Sequence, residues 1–185
     1  VHGIEHWTEF YTDYGVQLQR KFFDYFLRGE DNGWIDQPKV QLQVRHPDRF
    51  EERLEQNWPL PQTQWTKYYL DTDNQSLVTL PPAGTQPVSF DAMGDGLHFR
   101  SAPLETTTEI TGPSALKLLL SSSTEDADIF AVLQVFDLDG KEIVFQGAID
   151  PHTPIGQGWL RASHRKLDED ISKIYRPYHT HDEKQ

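Results

Sequence analysis

The sequence predicts a mainly β chain, a jelly-roll-like antiparallel β-sandwich preceded by one helical segment. Short runs rich in β-branched and aromatic residues alternate with turns, and this spacing is typical of a sandwich or a jelly roll. The Asp-Gly pair at residues 139–140 can close a hairpin between two of these runs. A clear helical period is found in residues 13–27. The expected strands comprise residues 39–45, 66–70, 77–80, 107–111, 115–121, 129–136 and 142–147.

The expected helix covers residues 13–27. Asp13 can accept hydrogen bonds from the free N–H groups of the first turn, and Gly29 can end the helix in a left-handed conformation. Three apolar residues recur every four positions and form one stripe. They are Leu18, Phe22 and Phe26. A single helix cannot bury such a stripe alone, so we expect the stripe to pack against another part of the protein.

The segment Trp58-Pro59-Leu60-Pro61 should mark a boundary between two domains. Each proline fixes φ and restrains the residue before it, so the segment is stiff and extended. Ahead of it, residues 39–45 alternate strictly, as in a half-buried strand. Residues 49–55 are highly charged and are expected to form an exposed connector. We therefore expect one domain over residues 1–57 and a second over residues 58–185.

The run at residues 129–136 has two apolar faces. By the period-2 rule, one face should point into the core. It consists of Ile129, Ala131, Leu133 and Val135. The other face consists of Phe130, Val132 and Phe136. A loop or another domain should cover this second face, because if it were exposed it would be an association surface.

Net charge and composition exclude several classes of function. The formal net charge of -12 repels nucleic-acid backbones and anionic membranes, so neither is expected as a partner. The chain has no cysteine, hence no disulfide framework and no thiol nucleophile, which is compatible with a cytoplasmic protein. No run reaches the roughly 20 apolar residues of a membrane span. Composition leaves the oligomeric state open.

The string His2-Gly3-Ile4-Glu5-His6-Trp7 is the strongest candidate for part of a catalytic site. A histidine between glycine and aromatic residues, on a loop ahead of an amphipathic helix, is how an α/β-hydrolase presents its catalytic base. In that fold the triad runs Ser, then Asp or Glu, then His, so the nucleophile and the acid for His6 would precede residue 1. No Gly-x-Ser-x-Gly is present, and the nearest string, at residues 112–116, lacks the last glycine. The alternative is an ordinary surface histidine.

The other polar clusters are best explained without a metal or a cofactor, and none is expected. Asp126 and Asp128 flank the start of a strand, and two carboxylates are fewer ligands than a metal site normally has. Asp126 should instead accept hydrogen bonds from local backbone groups. His179 and His181 form a His-x-His pair of the kind that is usually incidental. The basic residues 164–166 should pair with acidic residues of a neighbouring element.

Several blocks follow one another in a characteristic order. They are Tyr14 to Gly29 with Glu30-Asp31, Trp58 to Pro61, Ile110 to Pro113, Ser121 to Ser123 with Asp126 to Asp128, and Gln157 to Arg165. These blocks resemble the cocaine-esterase-like hydrolases, which belong with the X-prolyl dipeptidyl-peptidase group. The resemblance implies an α/β-hydrolase catalytic domain followed by a jelly roll, with the catalytic histidine at His6. Residues 1–57 would be the C-terminal end of the catalytic domain. Residues 58–185 would be an accessory jelly roll, incomplete at its C-terminus.

The expected function is that of the C-terminal part of a serine hydrolase, which cleaves a small ester or amide through an acyl-enzyme. The chain would supply His6 and the accessory domain, with the upstream hydrolase domain as its partner. Alone it should be inactive, because the nucleophile and the acid are absent. The alternative is a free-standing sandwich that binds carbohydrate or another ligand on aromatic residues. Those aromatics are Trp58, Trp65, Tyr68 and Tyr69. The helix favours the hydrolase, because a binding module has no use for an unmatched apolar helical face.

Overall fold

The structure is a computed structural model that describes residues 11–84, 86–147, 150 and 152–182. In these ranges the fold is mainly β, with one α-helix, α1 (Asp13–Arg28), ahead of the strands. The strands are β1 (Val40–Arg45), β2 (Phe50–Glu55), β3 (Tyr69–Asp71), β4 (Ser76–Val78), β5 (Arg100–Ser101), β6 (Asp128–Leu133), β7 (Val135–Phe136), β8 (Glu142–Ile143) and β9 (Gly156–Arg161). Short 3-10 helices cover Trp34–Asp36 and Ala162–His164. No helix in the described ranges is long and apolar enough to cross a membrane.

Helix α1 confirms the predicted helix and corrects its N-cap. The cap is Thr12 and not Asp13, because the Thr12 side-chain oxygen accepts a hydrogen bond from the backbone N–H of Gly15 at 3.5 Å. Thr12 has the extended backbone that a cap requires, whereas Asp13 is already helical and places its charge in the first turn, near the positive end of the helix dipole. Gly29 ends the helix with φ 69°, as predicted.

The apolar stripe of α1 keeps much of its surface exposed. Phe22 and Phe26 contact each other with ring centroids 4.8 Å apart. Trp34, just after the helix, meets Phe22 edge-on at 5.2 Å. Even so, both phenylalanines and the following Leu27 remain exposed. The indole of Trp34 therefore covers only part of the stripe.

The chain divides into two compact units. One comprises the residues up to Pro61 together with those from Gly112 onward, and it contains α1, β1, β2 and β6 to β9. The other comprises Gln62–Thr111 and contains β3 to β5. In this second unit β3 and β4 are antiparallel and overlap the strands predicted at residues 66–70 and 77–80. Strand β5 adds to β4 in parallel.

The β1–β2 hairpin confirms one predicted strand and corrects a predicted connector. Residues 50–55 form strand β2, which pairs with β1 in antiparallel register from Val40 opposite Glu55 to Arg45 opposite Phe50. A tight reversal precedes β2, in which the backbone N–H of His46 donates to the carbonyl oxygen of Arg49 at 2.8 Å. Backbone pairing does not require apolar side chains on an exposed strand. The charge of this segment was therefore a poor guide to its conformation.

The predicted hairpin at residues 129–147 is formed only in its inner part. Strands β7 and β8 pair around the turn, with Val135 opposite Ile143, and Gly140 takes φ 80°. Residues 128–133 instead form β6, whose partner is β9. The prediction that the whole of 129–136 pairs with 142–147 was wrong. Only β7, after residue 134, pairs with the nearby β8, whereas β6, before residue 134, pairs with β9, which is distant in sequence.

Two predicted strands, at residues 107–111 and 115–121, are not strands in the structure. Their composition favours extended backbone, but a strand also requires a paired neighbour. The described strands form several small, mainly antiparallel sheets, with β4–β5 the parallel exception. A complete two-sheet sandwich is not resolved among them.

The alternation of burial along β6 agrees with the predicted faces in part. Ile129, Ala131 and Leu133 are half-buried, as the inward face should be, whereas Phe130 and Val132 are exposed. No loop of the described residues covers Phe130 and Val132, and cover by another domain stays a prediction. Among these residues the buried apolar side chains are Leu60 and Phe145, at 5% and 8% exposed.

Candidate functional site

The predicted catalytic histidine, His6, lies outside the described residues, as do His2 and Glu5. The described chain begins at Tyr11, directly ahead of the Thr12 cap of α1. The role of His6 as a general base therefore stays a prediction.

Asp126 is the centre of a hydrogen-bonded cluster where β6 begins and β9 ends. Its carboxylate accepts hydrogen bonds from the backbone N–H of Ala127 at 2.9 Å and from the backbone N–H of Ser163 at 3.0 Å. The Ser163 hydroxyl donates to the second carboxylate oxygen at 2.5 Å. That hydroxyl is the largest cause of a pKa for Asp126 below the ordinary value of 3.8. The prediction that Asp126 accepts bonds from local backbone is confirmed, and its partner Ser163 was missed.

Asp128 forms a two-pronged ion pair with Arg161 across the β6–β9 ladder. The Arg161 Nε and Nη2 atoms donate to the two Asp128 carboxylate oxygens at 2.8 and 2.9 Å. This bond is the largest cause of a lowered pKa for Asp128 and of a raised pKa for Arg161. Planar guanidinium and carboxylate groups match in this geometry, and the pair lies where Asp128 and Arg161 are opposite in the register.

Asp126, Ala127, Asp128 and Arg161 line an open depression, yet the chemistry of their side chains is structural. Bonds within the protein occupy oxygens on both carboxylates. Within the described ranges no group of three His, Cys, Asp or Glu side chains could hold a metal ion. The arrangement ties the start of β6 to the end of β9.

The histidines near the C-terminus lie together without forming a metal centre. The Nδ1 atoms of His164 and His181 are 2.9 Å apart, and the rings of His179 and His181 are 6.0 Å apart. Lys166 pairs with Asp182 at 3.5 Å, so one member of the basic cluster has the acidic partner expected for it. His164 instead pairs with a histidine.

The aromatics proposed for a carbohydrate cleft are not all buried. Trp58, Trp65 and Tyr68 are exposed, and Tyr69 is half-buried in β3. A different aromatic feature was not predicted from the sequence. The exposed Trp159 of β9 lies opposite the exposed Phe130 of β6. No local signal could find this pair, because the residues are far apart in sequence and only the register joins them.

The sequence matches the X-Pro dipeptidyl-peptidase C-terminal non-catalytic domain over residues 32–178. It is 27% identical over 164 residues to the cocaine esterase of Rhodococcus, covering 68% of this chain and 28% of that protein. Two crystal structures of a CocE/NonD family hydrolase from Staphylococcus aureus superpose with TM-scores of 0.70 and 0.71, at 26% and 25% identity. These matches cover 98% and 100% of this chain and 34% of the hydrolase.

The chain thus spans about a third or less of the length of these relatives. The relatives are named as an esterase and as a CocE/NonD family hydrolase, and the family match includes every described strand. The chain belongs to the X-Pro dipeptidyl-peptidase C-terminal non-catalytic domain family, found in CocE/NonD-type hydrolases.

Proposed function

We propose that this chain is the C-terminal part of a serine hydrolase that cleaves a small ester or amide through an acyl-enzyme. The observation that supports this most is the family match over residues 32–178, together with the relatives that are named as esterases or hydrolases. In this proposal residues 1–57 complete the catalytic domain, and residues 58–185 form the accessory domain.

The exposed stripe of α1 supports the assignment of residues 1–57. Phe22 and Phe26 retain apolar surface that Trp34 does not cover. A helix at the end of a catalytic domain would bury this surface against that domain. The His-containing segment ahead of the helix would then lie at the catalytic domain as well.

The chemical role of this chain in catalysis is assigned to His6. A triad histidine takes the proton of the serine hydroxyl during attack and gives it to the leaving group. The second product forms when the same histidine activates water against the acyl-enzyme. Serine and the acid that orients the imidazole would come from the rest of the hydrolase, because the chain has no Gly-x-Ser-x-Gly.

The accessory domain is proposed to be a jelly roll. The antiparallel β6–β9 and β7–β8 pairs and the half-buried inner face of β6 support this proposal. A second sheet would pack on Ile129, Ala131 and Leu133. That packing would enlarge the hydrophobic core, in which Leu60 and Phe145 are the buried apolar side chains of the described residues.

The test of this function is active-site labelling of the protein encoded by the complete reading frame. The full-length protein should react with a fluorophosphonate probe at one serine and should hydrolyse short-chain p-nitrophenyl esters. Substitution of the labelled serine by alanine should abolish both signals. A full-length protein without a reactive serine, or without turnover on esters and on X-Pro amides, contradicts the proposal.

A further inference from the structure

Two histidine side chains face each other where residues 178–182 run back along residues 164–168. The Nδ1 atoms of His164 and His181 are 2.9 Å apart, and the two rings meet edge-on with centroids 5.0 Å apart. A nitrogen of a neutral imidazole is either a donor or an acceptor, so one ring must provide the N–H and the other the lone pair. The pair therefore holds one hydrogen between two nitrogens.

The backbone of His181 lies in the left-handed region, with φ 54°. Residues other than glycine seldom adopt this conformation, although histidine is one of those enriched there. The conformation costs free energy, so it persists only where contacts of the residue offset that cost. The ring contacts of His181 are with His164 and His179. The contact with His164 is thus part of what holds residue 181 in place.

Further bonds join the two runs. The backbone N–H of Asp168 donates to the carbonyl oxygen of Tyr178 at 2.9 Å, and that of Thr180 donates to the carbonyl oxygen of Lys166 at 3.0 Å. Lys166 and Asp182 form an ion pair whose two side chains are more than half exposed, and such a pair contributes little to stability. Backbone groups do not titrate, whereas histidine ordinarily changes its charge between about pH 5 and 8. The histidine pair is therefore the pH-sensitive contact among these bonds.

The charged groups around the pair already balance one another. They are Asp126, Asp128, Arg161, Arg165, Lys166, His179 and Asp182. Asp128 interacts with the charge of His164, but its two oxygens are bonded to Arg161. Asp126 accepts from the Ser163 hydroxyl, and Asp182 pairs with Lys166. A second positive charge on the histidine pair would thus not be offset by a carboxylate of its own.

Protonation of both rings is incompatible with the bond between them. When one ring is protonated, it still donates, and the bond becomes charge-assisted. When both are protonated, each Nδ1 carries a hydrogen, so neither can accept and two like charges face each other. Below about pH 6, where separated imidazoles hold both protons, the joined pair therefore binds one proton fewer than the separated rings. The stability of the contact is then highest at neutral pH and falls with the pH, because separation takes up a proton.

We propose that the His164–His181 pair is an acid-sensitive clasp, which holds residues 178–182 on residues 164–168 at neutral pH and releases them when both rings are protonated. This inference goes beyond the proposed function and does not depend on it. The neighbouring ends of β6 and β9 stay joined in that range, because the pKa values of Asp126 and Asp128 lie below 3.8 and both carboxylates remain ionised. The release is therefore local.

Hydrogen–deuterium exchange of the full-length protein, read out by peptide mass spectrometry, tests the clasp. The protection of the peptide that contains residues 178–182 is measured from about pH 7.5 to about pH 5 and corrected for the intrinsic exchange rates. His181→Asn is the matched variant, since asparagine keeps a hydrogen-bonding group, tolerates a positive φ and does not titrate. His164→Ala removes the bond at every pH. His179→Asn is the control for a neighbouring histidine, and a parallel sample contains EDTA at neutral pH.

The parent should be protected at neutral pH. Its opening constant should rise by up to about tenfold for each pH unit below about pH 6, because opening takes up one proton. The His181→Asn variant should show no such response, the His164→Ala variant should lack the protection at every pH, and the His179→Asn variant should follow the parent.

Three results on the variants would overturn the proposal: a pH response that persists in the His181→Asn variant, neutral protection that persists in the His164→Ala variant, or a response that is lost in the His179→Asn variant. Loss of neutral protection with EDTA would also overturn it, because a metal would then join the rings. Peptides from β6 and β9 verify that each variant is folded. If they lose protection together with residues 178–182 at about pH 5, the release is not local and the proposal fails.

Discussion

At the scale of single residues, Asp126 shows how one carboxylate joins segments that are distant in sequence. It accepts from Ala127 next to it and from Ser163, which follows β9. The hydrogen-bond donors around the Asp126 carboxylate favour its ionised form, so the pKa of Asp126 lies below 3.8. The stabilisation is present above the pKa of the unfolded chain and is lost as the pH falls through the lower pKa of the folded state.

Replacing Ser163 by alanine should raise the pKa of Asp126 towards its ordinary value, because it removes the bond that lowers it most. The pH-dependent stabilisation from this group should shrink accordingly. Carboxyl ¹³C NMR titration under acidic conditions measures the pKa. Ser163→Thr is the control, since it keeps the hydroxyl and should keep the low pKa. An unchanged pKa in the alanine variant would show that the backbone donors are sufficient.

The histidine prediction also belongs to this scale. In the full-length protein, His6→Ala should lower kcat by a factor on the order of 10⁴ or more, as the loss of a triad member does. The circular dichroism spectrum should not change, because the role proposed for His6 is catalytic and not structural. His2→Ala is the matched control and should keep near-parental kcat. If His6→Ala retained near-parental kcat, the base would lie elsewhere, with His2 the next candidate.

The contacts of single side chains were predictable from the sequence where the partner is close in sequence. The backbone bonds to Asp126 follow from a carboxylate at a turn. Two cross-strand pairs were not predictable, because each depends on the register of two strands separated by a hairpin. They are Asp128 with Arg161 and Phe130 with Trp159. The position of the candidate base depended on a motif and on family resemblance, and not on any contact.

At the scale of elements, helix α1 was well predicted, because its signals are local. The four-residue period of its apolar residues and the glycine after its last turn both act within a few residues. Strands were predicted less well. Residues 50–55 pair despite their charge, and residues 115–121 form no strand despite their apolar character, because a ladder requires a neighbour that the run itself does not specify.

The helix end gives a clean stability prediction. Gly29 has φ 69°, and a Cβ placed there would meet no atom within 4 Å. Gly29→Ala should therefore cost about 1–2 kcal/mol through backbone strain alone. Gly29→Asn should cost less, because asparagine tolerates the left-handed conformation. Urea unfolding of the full-length protein measures both variants. Equal stability of the alanine variant and the parent would show that the helix end rearranges freely.

At the scale of the whole molecule, the described residues form small sheets with few buried apolar side chains. The sequence predicted the mainly β class correctly, since class follows from composition and turn spacing. It could not predict how completely the sheets pack, because packing depends on contacts between elements that are distant in sequence. The exposed stripe of α1 and the exposed Phe130 and Val132 of β6 are apolar side chains whose burial the sequence did not specify.

The chain alone should show no esterase turnover, because a histidine without its nucleophile offers no acyl acceptor. The assay uses purified 185-residue chain and short-chain p-nitrophenyl esters, with buffer as the blank. Turnover that survives purification and disappears on a substitution within the chain would contradict the assignment of the nucleophile to another segment.

The β7–β8 hairpin lies inside the segment that separates β6 from β9, and this nesting has a kinetic consequence. Closing the long loop between β6 and β9 costs more chain entropy than closing the short turn at Gly140. If the hairpin forms first, it shortens the effective loop and brings the distant strands together. The turn then forms first, the β7–β8 hairpin second, and the β6–β9 pair last. Substitutions at the turn should accordingly slow folding, whereas substitutions at the Asp128–Arg161 end should mainly speed unfolding.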